Sequence, residues 1–221
     1  MGSMTRVSRP REAARETYNA LSRWYDLIAA AAEAPARRQG LDLLSAQPGE
    51  RILEIGYGTG HALVALARAV GRGGYVYGVD ISDGMAQIAA QRLRRSDLME
   101  RVGLSVGDAA HRHFVPNAFD AVFMSFTLEL FDTPDIPVVL RHCRASLRPG
   151  GRIGVVALSR LSENLAVLIY EWLHRQIPRW VDCRPIFARR MLKSVGFQIT
   201  QTRARRMWGL PVEIVVAEKR S

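Results

Sequence analysis

Residues 50–60 read Glu50-Arg51-Ile52-Leu53-Glu54-Ile55-Gly56-Tyr57-Gly58-Thr59-Gly60. This stretch predicts a short apolar strand that leads through an acidic residue into three glycines at alternate positions. Glycine has no side chain, so a ligand can lie directly against the backbone of such a turn. A helix is predicted to follow, from Ala62 to Val70, with its first N–H groups directed back at the turn. The stretch therefore predicts a binding site for a nucleotide-type cofactor.

The spacing of the glycines argues against a dinucleotide. In the fingerprint G-x-G-x-x-G the third glycine would stand at His61, but here it stands one residue earlier, at Gly60. Glu54 would also repel a pyrophosphate in a confined site, because like charges would meet there. The pattern favours a ligand with a positive group and disfavours a nicotinamide oxidoreductase.

Two further acidic residues follow predicted strands. The strand at residues 75–79 ends in Asp80, and the strand at residues 102–106 is followed by Gly107 and Asp108. An acid at the end of the second strand can accept hydrogen bonds from both ribose hydroxyls. Asp80 could instead cap the next helix, but Ser82 is better placed as the N-cap because the helical pattern begins just after it.

The motif E-x-G-x-G-x-G closely resembles the first motif of class I S-adenosylmethionine (SAM) methyltransferases. The resemblance continues to residue 158, through an F-D-x-V-x-x strand at residues 119–124 and the segment Leu147-Arg148-Pro149-Gly150-Gly151. That segment is predicted to end a helix before a fifth strand at residues 153–158. The resemblance implies SAM as cofactor, S-adenosylhomocysteine as product, and no metal.

The resemblance also implies roles for individual residues. Glu54 would contact the methionine ammonium of SAM, Asp80 the ribose, and Asp108 the adenine amino group. Met85 would pack on the adenine, with an ordinary core position as the alternative. The full set of predicted cofactor-binding residues is Glu54, Gly56, Tyr57, Gly58, Gly60, Asp80, Ile81, Met85, Asp108, Ala109, Ser125 and Phe126.

Short strands alternate with helices along the chain, which predicts an α/β fold. We expect a doubly wound, mostly parallel, seven-stranded Rossmann-like sheet. The strands at residues 195–200 and 211–217 are too close for a crossover helix and should pair as a terminal antiparallel hairpin, as class I methyltransferases have. The predicted domains are N-terminal lid helices over residues 1–48 and a SAM-binding domain over residues 49–221. A substrate-roof insertion is placed at about residues 160–190.

The N-terminal segment supplies the predicted lid. A helix is predicted over residues 10–34, and residues 22–27 (S-R-W-Y-D-L) resemble a segment of ubiquinone/menaquinone-type C-methyltransferases and of related bacterial phospholipid N-methyltransferases. The resemblance places Tyr25 near the cofactor, with Tyr18 on the same helix face. Ordinary helix packing is the alternative for both tyrosines.

A second helix, predicted over residues 164–175, would roof the acceptor site. It carries Trp172, and Trp208 of the terminal hairpin would lie nearby. An apolar, aromatic roof favours a hydrophobic or aromatic acceptor over a sugar. The alternative is a helix that only covers the sheet.

Methyl transfer requires few catalytic groups from the protein, because the sulfonium already makes the methyl group electrophilic. Holding the acceptor in line with the C–S bond can contribute roughly 7–11 kcal/mol. A general base is needed only if the acceptor must lose a proton. The catalytic candidates are His61, Glu129 and His174, with Asp182 as a further option; each could equally be a structural residue.

The chain carries 31 basic and 21 acidic residues, a net charge of +10, and nearly all its basic residues are arginine. A GC-rich genome would explain this bias; attraction to an anionic membrane surface or a nucleic acid is the alternative. No block of arginines alternates with aromatic residues, which disfavours nucleic acid. Two cysteines predict neither a disulfide framework nor a metal cluster.

No stretch is long and apolar enough to span a bilayer, and no signal-peptide pattern is present. These features predict a cytoplasmic protein, with peripheral membrane association as an option. Residues 1–3 are consistent with a cloning remnant.

Three functions remain open at this level. The first is a SAM-dependent methyltransferase acting on a small hydrophobic or aromatic molecule. The alternatives are a phospholipid (phosphatidylethanolamine-type) N-methyltransferase at a membrane surface and a non-catalytic SAM-binding protein. Methylation of nucleic-acid bases is disfavoured, because Ser125-Phe126-Thr127-Leu128 stands where those enzymes have Asn/Asp-Pro-Pro-Tyr/Phe.

Overall fold

The computed structural model describes residues 25–160 and 185–220, with side chains from residue 31 onward. The helices are α1 (Tyr25–Leu44), α2 (His61–Val70), α3 (Asp83–Arg95), α4 (Ile136–Ser146) and α5 (Ala188–Ser194). The strands are β1 (Arg51–Ile55), β2 (Tyr75–Asp80), β3 (Val102–Val106), β4 (Phe119–Ser125), β5 (Leu147–Leu158), β6 (Phe197–Met207) and β7 (Leu210–Lys219). Short 3₁₀ turns lie at Met99–Arg101, Ala109–His111 and Leu128–Leu130.

The strands form one seven-stranded sheet in the order β3-β2-β1-β4-β5-β7-β6. The first five are parallel, whereas β7 runs antiparallel to both β5 and β6. The predicted doubly wound sheet and its terminal antiparallel hairpin are therefore confirmed. The predicted lid begins outside the described residues.

Helices cover both faces of the sheet, so the central strands are buried on both sides. Leu53 and Ile55 of β1 point into the core beneath α4 and α5. Ile52 points to the opposite face, into the core beneath α1, α2 and α3. Because side chains alternate along a strand, Glu54 shares the face of Ile52. Glu54 is thus an acidic residue within the buried part of β1, among the core residues Ile52, Leu53 and Ile55.

Helix α1 continues to Leu44, so the predicted helix end at Ala34 is wrong. The prediction stopped before Pro35, which lies inside the helix. Gly40 explains how the second half packs: a Cβ at this position would collide with Val156 on β5. The glycine lets the helix backbone lie directly on the sheet. The apolar surface buried there offsets the free-energy cost of having Pro35 inside the helix.

The Pro-Gly-Gly segment was wrongly predicted to end a helix. Helix α4 already ends at Ser146, and residues 147–151 belong to β5. Leu147 pairs with Phe119 of β4, and the register then shifts in a bulge before the regular pairing resumes. Strand β6 likewise begins at Phe197 rather than residue 195, because Gly196 (φ +90°) turns the chain after α5.

Arg152 ties the end of α1 to the sheet. Its guanidinium donates to both Glu50 carboxylate oxygens at 2.7 and 2.8 Å, and to the Leu44 and Ser45 carbonyls at 2.6 and 2.9 Å. Charge-assisted, multidentate hydrogen bonds of this kind are geometrically specific. They fix the position of the end of α1 on the sheet.

We expect Arg152→Ala to lower the free energy of unfolding by about 2 kcal/mol, because the partly buried Glu50 carboxylate and two carbonyls would lose their donor. Urea denaturation would measure the change. Arg148→Ala is the control, since Arg148 is largely exposed where it meets Asp120 and should contribute little. Equal losses in the two variants would contradict the assigned role.

Candidate functional site

The site lies at the sheet edge formed by the carboxyl ends of the parallel strands, here called the carboxyl edge. β1 and β4 are neighbours, and the chain leaves them in opposite directions along the sheet. In open α/β sheets, ligands bind in the crevice outside this switch point. Gly56 follows β1 there, Asp80 ends β2 and Ser125 ends β4. The sheet therefore brings these predicted residues to one edge.

The glycine loop, residues 56–60, has left-handed backbone at each glycine: φ is +72° at Gly56, +50° at Gly58 and +81° at Gly60. A Cβ on Gly56 would collide with Thr127, and one on Gly60 would lie 3.0 Å from the Ala89 Cβ. A Cβ on Gly58 would meet nothing within 4 Å. The outer glycines therefore allow close packing, whereas the middle one keeps open the space in which a ligand would lie.

Asp80 holds this loop in place. Its Oδ2 accepts the Gly58 N–H at 2.8 Å, and its Oδ1 accepts the Ser82 N–H at 2.9 Å. Burial raises the pKa of Asp80, while backbone N–H donors, including that of Ile81, oppose the rise. Each oxygen can accept a second hydrogen bond. The carboxylate can thus support the loop and still accept from a diol. Ser82 is the N-cap of α3, as predicted, and accepts the Met85 N–H.

Glu54 is a buried carboxylate with unused bonding capacity. It is 2% exposed, and its Oε2 has no hydrogen-bond partner among the described residues. Burial raises its pKa well above the usual value; Arg37 opposes this rise and Asp80 adds to it. A buried carboxylate without a full set of partners is costly. A cationic group such as an ammonium would satisfy it, so the residues present fit the methionine end of SAM.

Two predicted cofactor residues have their side chains in the core. Tyr57 is 3% exposed, and its hydroxyl donates to the Ser105 carbonyl at 3.4 Å. Met85 is 6% exposed and belongs to the same apolar cluster. For Tyr57, the backbone rather than the ring is left to contact a ligand. Ile81 is half-buried beside Asp80.

Asp108 caps the short turn that follows β3. Its Oδ1 accepts the Ala110 N–H at 2.9 Å, and its Oδ2 lies 3.0 Å from Nδ1 of the exposed His111. Ala109 is buried at the start of this turn. Asp108 therefore lies at the carboxyl edge, as predicted, and has a structural partner there.

The chain after β4 touches the glycine loop. Thr127 Oγ1 lies 3.0 Å from the Ser125 carbonyl and 3.3 Å from the Gly56 carbonyl, so its hydrogen can bind either. Phe126 has φ +52° and donates its N–H to the Val156 carbonyl at 2.8 Å. Ser125 Oγ is buried without a hydrogen-bond partner in the described part of the chain. A polar ligand group in the crevice would supply one.

His61, the first catalytic candidate, is bound to Arg92. An Arg92 guanidinium nitrogen lies 3.2 Å from His61 Nδ1, and Arg92 Nε donates to the Thr59 carbonyl at 2.7 Å. Burial and the nearby arginines lower the pKa of His61 to about 4. Arginine always donates, so Nδ1 accepts and only Nε2 remains for other bonds. His61 and Arg92 therefore hold the end of the glycine loop in place, and the low pKa makes His61 a weak base.

Glu129, the second candidate, is fully buried in the turn Leu128–Leu130. Its Oε1 accepts the Leu158 N–H at 3.0 Å, which links the end of β5 to the chain after β4. Trp208 is 69% exposed in the β6–β7 turn. Four predicted site residues lie outside the described residues: Tyr18, Trp172, His174 and Asp182. The side chain of Tyr25 is likewise outside them, as is the roof helix at residues 164–175.

Three site residues were missed in the sequence: Arg37, Arg92 and Thr127. The positive charge of Arg37, on α1, opposes the rise in the pKa of Glu54 on the sheet face that α1 covers. Arg92 and Thr127 reach partners 31 and 71 residues away in the chain. No local pattern signals such contacts, because they depend on how α1, α3 and the chain after β4 pack.

Within the described ranges, no group of three or more His, Cys, Asp or Glu residues is arranged to hold a metal ion. The same search range contains no helix with the length and apolarity needed to cross a membrane.

Comparison with known proteins identifies a methyltransferase domain in the chain. A family model described as "Methyltransferase domain" matches residues 52–151. Nocamycin O-methyltransferase of Saccharothrix syringae is 36% identical over 62% of this chain and 48% of its own length. Demethylmenaquinone methyltransferase of Lactobacillus johnsonii is 29% identical over 65% of this chain and 58% of its own. The chain spans about half the length of the curated relatives it matches.

Among solved structures, the 1,6-didemethyltoxoflavin-N1-methyltransferase of Burkholderia thailandensis has a TM-score of 0.70 and 18% identity. The superposition covers 100% of this chain and 94% of that one. At this identity the likeness establishes the fold. The matched domain, the strand order and the glycine loop at the switch point all agree with a class I SAM-dependent methyltransferase domain over residues 52–151.

Proposed function

We propose that the chain binds SAM at the glycine loop and transfers its methyl group to a small hydrophobic or aromatic molecule. The observation that carries the proposal is the combination of open space at Gly58 with the partly unsatisfied Glu54 carboxylate beside it. Bare backbone and a buried carboxyl group that can ionise beside a cation together fit a ligand that has an ammonium group and no phosphate.

Each residue then has a task. When bound, SAM supplies an electrophilic methyl group on its sulfonium. Glu54 binds the methionine ammonium, Asp80 accepts from the ribose hydroxyls, and Asp108 accepts from the adenine amino group. These contacts fix the cofactor, so the remaining work is to hold the acceptor in line and to exclude water.

The lid over residues 1–48 and the roof at about residues 160–190 remain part of the proposal. Tyr18, Tyr25 and Trp172 would then surround the acceptor, with His174 or Glu129 available if it must lose a proton, whereas Trp208 is 69% exposed in the β6–β7 turn. The names of the relatives support a small molecule, one as an O- and one as an N-methyltransferase.

SAM binding should release a proton. The pKa of Glu54 is raised in the free protein, and an ammonium beside it would lower that pKa again. Affinity should therefore increase as pH rises through the interval above the usual glutamate pKa. Calorimetry in buffers of different ionisation enthalpy would measure the released proton.

Glu54→Gln is the control for this linkage. It should abolish the proton release and weaken binding by about ten- to a hundredfold, since a hydrogen bond to a charged group contributes about 1.5–3 kcal/mol. Proton uptake, or the same release in the variant, would assign the proton to another group.

The acceptor is tested with isotope-labelled SAM and a panel of quinols, phenols, thiols and phosphatidylethanolamine, read by mass spectrometry. A labelled quinol or phenol is the expected result. Label on phosphatidylethanolamine would establish the phospholipid N-methyltransferase instead. SAM binding without turnover on any acceptor would favour a non-catalytic binding protein.

A further inference from the structure

The outer strand of the sheet carries a row of exposed arginines, with Arg203 and Arg205 on one face and Arg206 on the other. β6 is the last strand in the order, and the described chain places no strand on its far side. Arg203, Arg205 and Arg206 on this strand are all exposed. Arg205 also lines a hollow with Arg38 of α1, where Asp42 is the one acidic residue among the lining side chains. We call Arg38, Arg203, Arg205 and Arg206 the arginine edge.

The turn at the end of this row exposes a tryptophan in a strained conformation. Met207 pairs with Leu210, so Trp208 and Gly209 form a two-residue hairpin turn with φ +50° and +80°. Asparagine is favoured at the first position of such a turn, because a bulky residue with positive φ is strained. Trp208 is nevertheless there and 69% exposed. Strain that persists at an exposed site points to function.

The hairpin turn lies at the carboxyl edge, on the same side of the sheet as the glycine loop. Val212 pairs with Leu158 at the end of β5, and the Ser159 N–H donates to the Pro211 carbonyl at 2.8 Å. A surface that touched the arginine edge and Trp208 would therefore lie along the same edge of the sheet as the crevice, about 19 Å (four strand spacings) from β1.

We propose that the arginine edge and Trp208 dock the protein on an anionic phospholipid membrane. Clustered arginines complement the negative surface of such a membrane, and tryptophan prefers the interface between headgroups and hydrocarbon. Stacking on nucleic acid would need more exposed aromatic rings nearby. The other exposed aromatic in the described chain, Tyr75, begins β2 at the opposite edge of the sheet. Docking would bring the enzyme to an acceptor dissolved in the lipid; this part of the inference rests on the proposed function.

Vesicle sedimentation with the full chain tests the surface. Wild-type protein should bind phosphatidylglycerol-containing vesicles at low salt and leave pure phosphatidylcholine vesicles unbound. The double variant Arg205→Gln/Arg206→Gln should bind about thirtyfold more weakly, since each basic residue near the surface contributes about fivefold. The matched control is Arg94→Gln/Arg95→Gln, which removes the same charge from the exposed end of α3. It should retain binding within about threefold.

Trp208→Asn separates docking from stability. Asparagine suits the turn, so the melting temperature should be unchanged or higher. Vesicle binding should fall about tenfold, because the indole ring that would be buried in the membrane interface is lost. SAM affinity, measured on the same samples, should not change.

The proposal is overturned by absent vesicle binding, by equal losses in both double variants, by unaltered binding of Trp208→Asn, or by a single-stranded RNA that binds more tightly than the vesicles. If the wild-type chain bound vesicles but did not bind SAM, the result would count against the proposed function alone.

Discussion

Gly58→Val should lower SAM affinity at least about a hundredfold. The valine side chain would enter the space that is open above Gly58, and its β-branch would oppose the left-handed backbone, φ +50°, that the loop needs. The loop would have to change shape or exclude the ligand. Isothermal titration calorimetry with SAM and S-adenosylhomocysteine would measure the loss.

Gly49→Val is the matched control. Gly49 also has positive φ, +86°, and open space around it, but it precedes β1 at the opposite edge of the sheet. The two variants should lose similar free energy of unfolding, and only Gly58→Val should lose SAM. Retained affinity in Gly58→Val would mean that the glycines serve another purpose.

Asp80→Ala should have the second largest effect. It removes the acceptor for the Gly58 and Ser82 N–H groups, and with it the proposed ribose contacts. Two hydrogen bonds from the ribose to a charged carboxylate contribute about 1.5–3 kcal/mol each, so SAM affinity should fall about a hundredfold. The N–H groups left without an acceptor cost about 1–3 kcal/mol each, so the free energy of unfolding should fall as well.

Asp120→Ala serves as the comparison. Asp120 accepts the Arg51 N–H at 2.6 Å at the start of β1, far from the carboxyl edge. Its loss should reduce stability and leave SAM affinity within about twofold, because additivity holds for distant sites. Unchanged SAM affinity in Asp80→Ala would remove Asp80 from the cofactor site.

The parallel part of the fold could be predicted because its signals are local. β3 begins and ends where the apolar pattern predicts, and Ser82 caps α3 as its side chain favours. The extension of α1 through Pro35 could not be predicted, since it depends on Gly40 meeting Val156 across the sheet. The β5 bulge depends in the same way on pairing with β4.

In the candidate site, too, the features with local sequence signals could be predicted and those that depend on packing could not. The glycine loop and Asp80 are next to each other in the fold because strand ends of a parallel sheet meet at one edge, and the sequence marks those ends. His61 follows the loop directly, but its bond to Arg92 and its low pKa arise from helix packing. Sequence therefore predicts the site's place and polarity better than the state of its titratable groups.

Binding of SAM by the glycine loop can be measured directly. Protein labelled with ¹⁵N-glycine, titrated with S-adenosylhomocysteine, tests it residue by residue by NMR. We expect the amide signals of Gly56, Gly58 and Gly60 to shift and to saturate at one ligand per chain, while those of Gly49, Gly71 and Gly150 stay in place. Saturating shifts at the second set, or none at the first, would contradict it.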